Sequence, residues 1–187
     1  MNIQQLVGLV DVDNREWTPV ERAVAVAILT KYANCVRARV VIPEPVFEAN
    51  LLGNKSVNTD VAVIHTSKEG KRIYLSRRTS SEIFTGKLHL PGVTHRYESL
   101  LEATQRLLNT ELSVFNFQIA DLTPLGVLDL QDLPRGPVQS NLYLARIDSV
   151  PEGLEKDFYI ASEIPWDDIL VSHKTVTLPW LIKHDYL

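Results

Sequence analysis

Gly92, Glu98, Arg106 and Glu111 form the most ordered set of chemically useful residues in the sequence, inside residues 88–114 (LHLPGVTHRYESLLEATQRLLNTELSV). This stretch joins a glycine turn, a charged ladder and an apolar stripe. Glu98 and Arg106, taken alone, read as an ion pair that fixes geometry. Glu111, taken alone, is an ordinary exposed helix glutamate. Just upstream, Arg77 and Arg78 carry the planar fork that suits phosphate. Strand side chains alternate, so one of the two is expected to face inward. His89 and His95 flank Gly92, but neither has the spacing or the His and Cys partners of a zinc site. The single cysteine, Cys35, excludes an internal disulfide or a CxxC site and reads as a small buried hydrophobe. His65, His173 and His184 carry no signal beyond ordinary surface or core histidines, and Trp166 and Trp180 read as core or rim aromatics.

Gly92 is followed after five residues by Glu98, after seven more by Arg106, and then by Leu108, Glu111 and Val114, with Pro91 just ahead of the glycine. This spacing resembles the Nudix box, G-x5-E-x7-R-E-U-x-E-E-x-G-U, where U is a bulky aliphatic residue. At the remaining box positions the chain carries Leu107, Thr110 and Ser113. The resemblance implies an α/β fold, a Nudix-type α/β/α sandwich with a mixed sheet over residues 57–187; residues 1–56 lie outside the resemblance and read as an N-terminal helical extension. It also implies hydrolysis of a nucleoside diphosphate linked to another moiety. That reaction needs cations to neutralise the diphosphate and a base to activate water.

In the family, the Glu after the Arg often acts as base and the later Glu pair holds metal. Leu107 can neither bind a cation nor take a proton, so the resemblance leaves Glu111 as the catalytic and metal-binding candidate on the helix. Magnesium can be held by one or two carboxylates together with waters and substrate phosphates, so Mg²⁺ or Mn²⁺ is the cofactor implied. The family often adds an acid from a later loop. Here that would be Glu155 or Asp157 as further metal ligands, with Glu152 beside them, although a solvated acidic loop explains all three. Asp129 and Asp132 are similar candidates. Arg77 and Arg78 match a place where family members carry basic residues near the substrate, and Gly92, Glu98 and Arg106 match positions that brace the loop against the helix. Two functional readings stay open. One is a divergent hydrolase with weak or lost activity; the other is a non-catalytic module that binds a nucleotide-like ligand or a protein partner.

The composition agrees with a soluble domain. At 187 residues and 45% hydrophobic content the chain can bury a core, and its net charge of −4 lacks the basic footprint of a nucleic-acid binder. The N-terminus carries no basic start and the longest apolar run, 23–29, is far short of a membrane span. A cytoplasmic protein is expected, with no nucleic-acid polymer and no membrane among its partners.

Several elements must position the box. Thr18, Pro19 and Glu21 signal a helix start, and the helix expected over 18–33 is apolar around most of its circumference at 23–29. Such a helix needs cover on two sides, which motivates an expected homodimer contact. A strand is expected at 36–42 and a connection at 48–59. Residues 61–67 and 72–78 read as a hairpin around Gly70, and a polar loop over 79–87 leads to the box. Ser99 and Glu102 form a capping box for a helix reaching about residue 112. Leu100, Leu101, Leu107, Leu108 and Leu112 should make one apolar arc on it, with Leu100 and Leu107 at the edge nearest Glu111. Beyond it come 117–130, a loop over 131–139, a strand at 141–147, a short strand and helical turn within 153–170, and a last helix over 178–185.

Overall fold

The structure, a computed structural model, describes residues 18–37, 55–79, 84–96, 98–131 and 136–187. The chain divides into two units, residues 1–53 and 54–187. In the first, helix α1 runs Pro19–Arg37, so Val36 and Arg37, expected to open a strand, continue the helix instead. The rest of that expected strand, most of the connection at 48–59, and the side chains of Glu21 and Cys35 lie outside the described residues. Val20, Val24, Val26, Ile28 and Leu29 of α1 are exposed. Among the described residues no helix is long and apolar enough to cross a membrane.

The second unit is built on β1 (Ser56–Ser67), which is longer than the hairpin strand expected from Val61. Its extra length follows from its partner. β7 (Val138–Ile147) pairs with it in parallel from Ser56 through His65, which holds residues 56–60 in strand geometry. On its other edge β1 pairs antiparallel with β2 (Gly70–Tyr74) and, nearer its start, with β5 (Gly92–Thr94). Gly70 supports the tight turn between β1 and β2 with φ of 126°. Two short strands, β3 (Ser76–Arg77) and β4 (Leu88–His89), pair with each other. β6 (Thr123–Leu130) and β8 (Phe158–Tyr159) complete the main sheet, whose order is β6-β7-β1-β2-β8. One parallel pair among antiparallel ones makes the sheet mixed, so the α/β class and mixed sheet expected from the sequence are present.

Alternation along β1 divides the core. Val61 and Val63 face helix α2 (Leu100–Thr110), packing with Ala103, Leu107, Leu108 and Leu112. Ala62 and Ile64 face the opposite way, toward Ile164, Ile169, Leu178 and Leu181, the last two from helix α3 (Leu178–Lys183). A π-helical turn, His173–Thr177, leads into α3. Ser99 caps α2 with the reciprocal Glu102 contact read from the sequence. The buried stripe of α2 differs from the expected arc: Leu100 and Leu101 are 41% and 61% exposed, while Ala103, Thr104, Leu107 and Leu108 are buried. Small residues at 103 and 104 let the helix lie close to the sheet, and its first turn is left facing water.

Candidate functional site

The box begins where β5 leaves the sheet beside β1. Asp60 is the register partner of Gly92, and a Cβ added to that glycine would lie 2.0 Å from Asp60 Oδ1. No side chain fits there, which gives the glycine a steric reason in addition to its place in the motif. From the other side, the Gly92 N–H donates to Glu111 Oε2 at 3.0 Å. Gly92 is therefore flanked by two carboxylates, one from the central strand and one from the end of α2.

Glu111 directly follows α2 as its C-cap. Its side chain reaches solvent, yet folding the carboxylate back onto the turn removes water from it, and that desolvation raises its pKa. The Gly92 N–H and the charges of Arg78 and Arg106 pull it back down. Asp60 is only 4% exposed. Burial drives its carboxyl up to about 7, partly offset by the Ser140 hydroxyl donating to Oδ2 and reinforced by repulsion from Glu111.

Glu98 and Arg106 meet in a bidentate pair, with Arg106 Nε donating to Glu98 Oε2 at 3.1 Å and Nη2 donating to Oε1. Arg106 Nη2 also donates to the Thr94 carbonyl at 2.9 Å, which ties α2 to the end of β5. Hydrogen bonding to Arg106 holds Glu98 below the usual glutamate range. With the two side chains 30% and 19% exposed, the pair sits between surface bridges worth under about 1 kcal/mol and buried ones whose breakage costs about 3–5 kcal/mol. Arg106→Ala is expected to destabilise the domain by about 2 kcal/mol, read as a lower midpoint in urea at unchanged slope. An unchanged midpoint would remove the bracing role.

The two arginines differ in exposure: β3 ends at Arg77, and Arg78 just beyond it is half-buried. Arg77 is exposed and donates to the Gly86 carbonyl. Arg78 acts electrostatically on Glu111, His89 and His173, and its guanidinium lies 6.0 Å from the Phe84 ring centroid. Glu155 and Asp157 occupy a 3-10 turn ahead of β8. The Asp157 charge acts on the buried Tyr74, which also feels Glu111. Among the described residues no group of three or more His, Cys, Asp or Glu could hold a metal ion, so Glu155 and Asp157 do not join Glu111 in such a cluster. Leu107, expected at the rim of the arc beside Glu111, is 0% exposed and lies wholly within the core. The Thr110 hydroxyl donates back to the Arg106 carbonyl at 2.8 Å.

Sequence reasoning passed over two features. Asp60 was one, although a lone acid at the head of the apolar run VAVI is a visible anomaly. The other is the approach of His173 to His89, with ring centroids 6.3 Å apart. His89 Nδ1 lies 2.6 Å from the Leu90 carbonyl, which assigns it the proton and leaves Nε2 to accept from the Ser76 hydroxyl at 3.2 Å. His173 Nδ1 is buried with no hydrogen-bond partner among the described residues. Desolvation lowers both rings, His89 to about 4 and His173 to about 3.

No protein-family model and no curated protein matches this chain. Among solved structures it is similar to the C-terminal domain of mouse MUTYH in complex with human PCNA, at 16% identity and a TM-score of 0.46 over 71% of this chain and 90% of that one. It is similar to the NUDIX domain of Shewanella oneidensis NrtR complexed with ADP ribose, at 15% identity and a TM-score of 0.48 over 78% of this chain and 100% of that one. A third similar structure is a bifunctional NMN adenylyltransferase/ADP ribose pyrophosphatase from Francisella tularensis complexed with AMP and Mn ion. There the identity is 20% and the TM-score 0.49, over 70% of this chain and 42% of that one. Each of these three likenesses has a TM-score below 0.5.

Proposed function

We propose that residues 54–187 form a Nudix-type domain that binds a nucleotide-like ligand carrying a diphosphate, and that it hydrolyses such ligands slowly or not at all. The observation that carries this reading is the state of the box helix. Leu107 is fully enclosed in the core and Thr110 is bonded to its own helix backbone, so Glu111 is the one carboxylate left among the three box positions. Arg78, whose charge reaches Glu111, supplies the guanidinium that would meet phosphate oxygens.

A bound Mg²⁺ or Mn²⁺ would neutralise diphosphate charge and acidify a water. Glu111 would help hold it, since its carboxylate lies at the surface of the turn. Loss of a base and a metal ligand together removes several kcal/mol of transition-state stabilisation, at about 1.4 kcal/mol for each factor of ten. Calorimetry with ADP-ribose, NADH and nucleoside triphosphates should show binding of at least one of them, weakened by Arg78→Ala. Product-release assays with Mg²⁺ and Mn²⁺ should show little turnover. Brisk wild-type turnover abolished by Glu111→Gln would defeat this reading, as would the absence of nucleotide binding.

A further inference from the structure

We propose that Phe84 stacks on the base of a nucleoside diphosphate whose phosphates lie on Arg78 beside it, so that the hairpin of β3 and β4 carries the nucleoside end of the site. The proposal rests on the reading of this domain as one that binds a nucleotide-like diphosphate, and it names the residue that would tell a nucleotide from a bare phosphate.

The sequence shows the anomaly first. Residues 79–87 (TSSEIFTGK) form a polar stretch in which Phe84 is the one aromatic. Loops held by a rigid scaffold are where binding residues concentrate. Phe84 is half-buried, and among the described residues it belongs to neither core cluster.

The backbone around the ring is pinned to the hairpin stem. The Arg78 N–H donates to the Lys87 carbonyl at 2.9 Å, the Gly86 N–H to the Arg78 carbonyl at 2.8 Å, and the Lys87 N–H to the Phe84 carbonyl at 3.1 Å. Gly86, with φ of 79°, makes the turn that these bonds require. They hold Phe84 and Arg78 at the same end of the stem, with the guanidinium carbon 6.0 Å from the ring centroid. That distance is the outer limit of cation–π attraction. The stem bonds use backbone atoms alone, so a change of side chain at position 84 leaves them in place.

Arg78 joins this ring to the rest of the site, because its charge reaches Glu111. A guanidinium meets phosphate oxygens with its N–H edge and an aromatic ring with its face, so the two contacts do not compete. In a nucleoside diphosphate the ribose separates phosphates from base. Phosphates on Arg78 therefore bring the base within reach of the neighbouring ring. Stacking reads the face of a base and not its edge, so it tolerates any of the common bases. The tryptophans offer no equivalent platform. Trp166 and Trp180 pack against the core beneath α3, and Trp180 is itself stacked with His184 and Tyr186.

The test measures binding of ADP and of inorganic pyrophosphate to the full chain by calorimetry, in one Mg²⁺ buffer. Phe84→Ala and Phe84→Leu should weaken ADP at least about fivefold and leave pyrophosphate unchanged, while Phe84→Trp keeps the wild-type affinity for both. Unchanged ADP affinity in Phe84→Ala would overturn the proposal, as would pyrophosphate affinity falling in step with ADP. Wild-type ADP affinity in Phe84→Leu would also overturn it, since leucine fills the same place without an aromatic face. Should Phe84→Ala fail to fold, nuclear Overhauser contacts between the adenine protons of ADP and the Phe84 ring are expected in the wild-type protein; their absence would overturn stacking. Pyrophosphate separates the two ideas. If neither probe binds, the ligand reading falls and this proposal with it; if both bind whatever stands at position 84, the base assignment alone falls.

Discussion

Replacing Leu107 by Glu, the change that would restore the box on paper, is expected to unfold the domain instead of reviving hydrolysis. Leu107 is 0% exposed and packs with Val61, Val63, Leu108 and Leu112 between α2 and the sheet. Loss of a buried leucine side chain alone costs about 2–5 kcal/mol, and the incoming carboxyl must be buried without a partner or stay protonated. Against a usual domain stability of about 5–15 kcal/mol, a loss of about 4 kcal/mol or more leaves little folded protein. Chemical denaturation should place the midpoint of Leu107→Glu far below wild type. Thr110→Glu, at an exposed helix end, should cost about 1 kcal/mol or less. Should Leu107→Glu keep the wild-type midpoint, position 107 would not be core, and the enclosure of this side chain between α2 and the sheet would be refuted.

The same residue shows what the sequence could and could not disclose. Local relations were legible: Glu98, just ahead of α2, and Arg106, eight positions on, do meet, Ser99 and Glu102 do cap α2, and Gly70 does turn the hairpin. Each is settled by spacing over a short stretch of chain. Helical angle also placed Leu107 near Glu111, correctly in projection. The angle cannot say how deeply the sheet lies against the helix, and Ala103 and Thr104 bring it close enough to enclose Leu107 while Leu100 and Leu101 face water.

Relations between distant strands were not legible. Asp60 meets Ser140 across 80 positions because β1 and β7 pair in parallel, and it meets Gly92 because β5 takes the first half of the edge that β2 takes later. Neither pairing has a short-range signature. Spacing was likewise a poor guide to His89, whose neighbour His173 arrives through the parallel bridge of Leu88 with Ile169 and the Leu170 N–H bond to Leu88. The candidate site thus divides into a motif that one segment discloses and a set of partners that only the assembled sheet brings to it.

Acid should expose the buried histidines, and His173→Leu should relieve much of the effect. Above pH 6.5 both rings are neutral in the folded and the unfolded chain. Below it the unfolded chain takes protons that the folded chain refuses, because burial, the Arg78 charge and, for His173, the neighbouring His89 lower the folded values to about 4 and about 3. Stability conferred by the neutral rings is therefore complete above pH 6.5 and drains away as the pH falls toward those values. Asp60 acts with the opposite sign. Its folded pKa of about 7 stands above the unfolded 3.8, so its contribution is full below 3.8 and is lost as the pH rises through 7. The two trends offset each other in wild type, but Asp60 is common to wild type and variant and cancels in their difference. His173 Nδ1 has no hydrogen-bond partner among the described residues, so an apolar side chain of similar size should be near neutral at pH 8. At pH 4.5, two units below the unfolded histidine value, His173→Leu should exceed wild type by about 3 kcal/mol. Urea titrations of both proteins at the two pH values measure this directly. A constant difference would mean that His173 is protonated in the folded state, with a counter-charge reaching the ring.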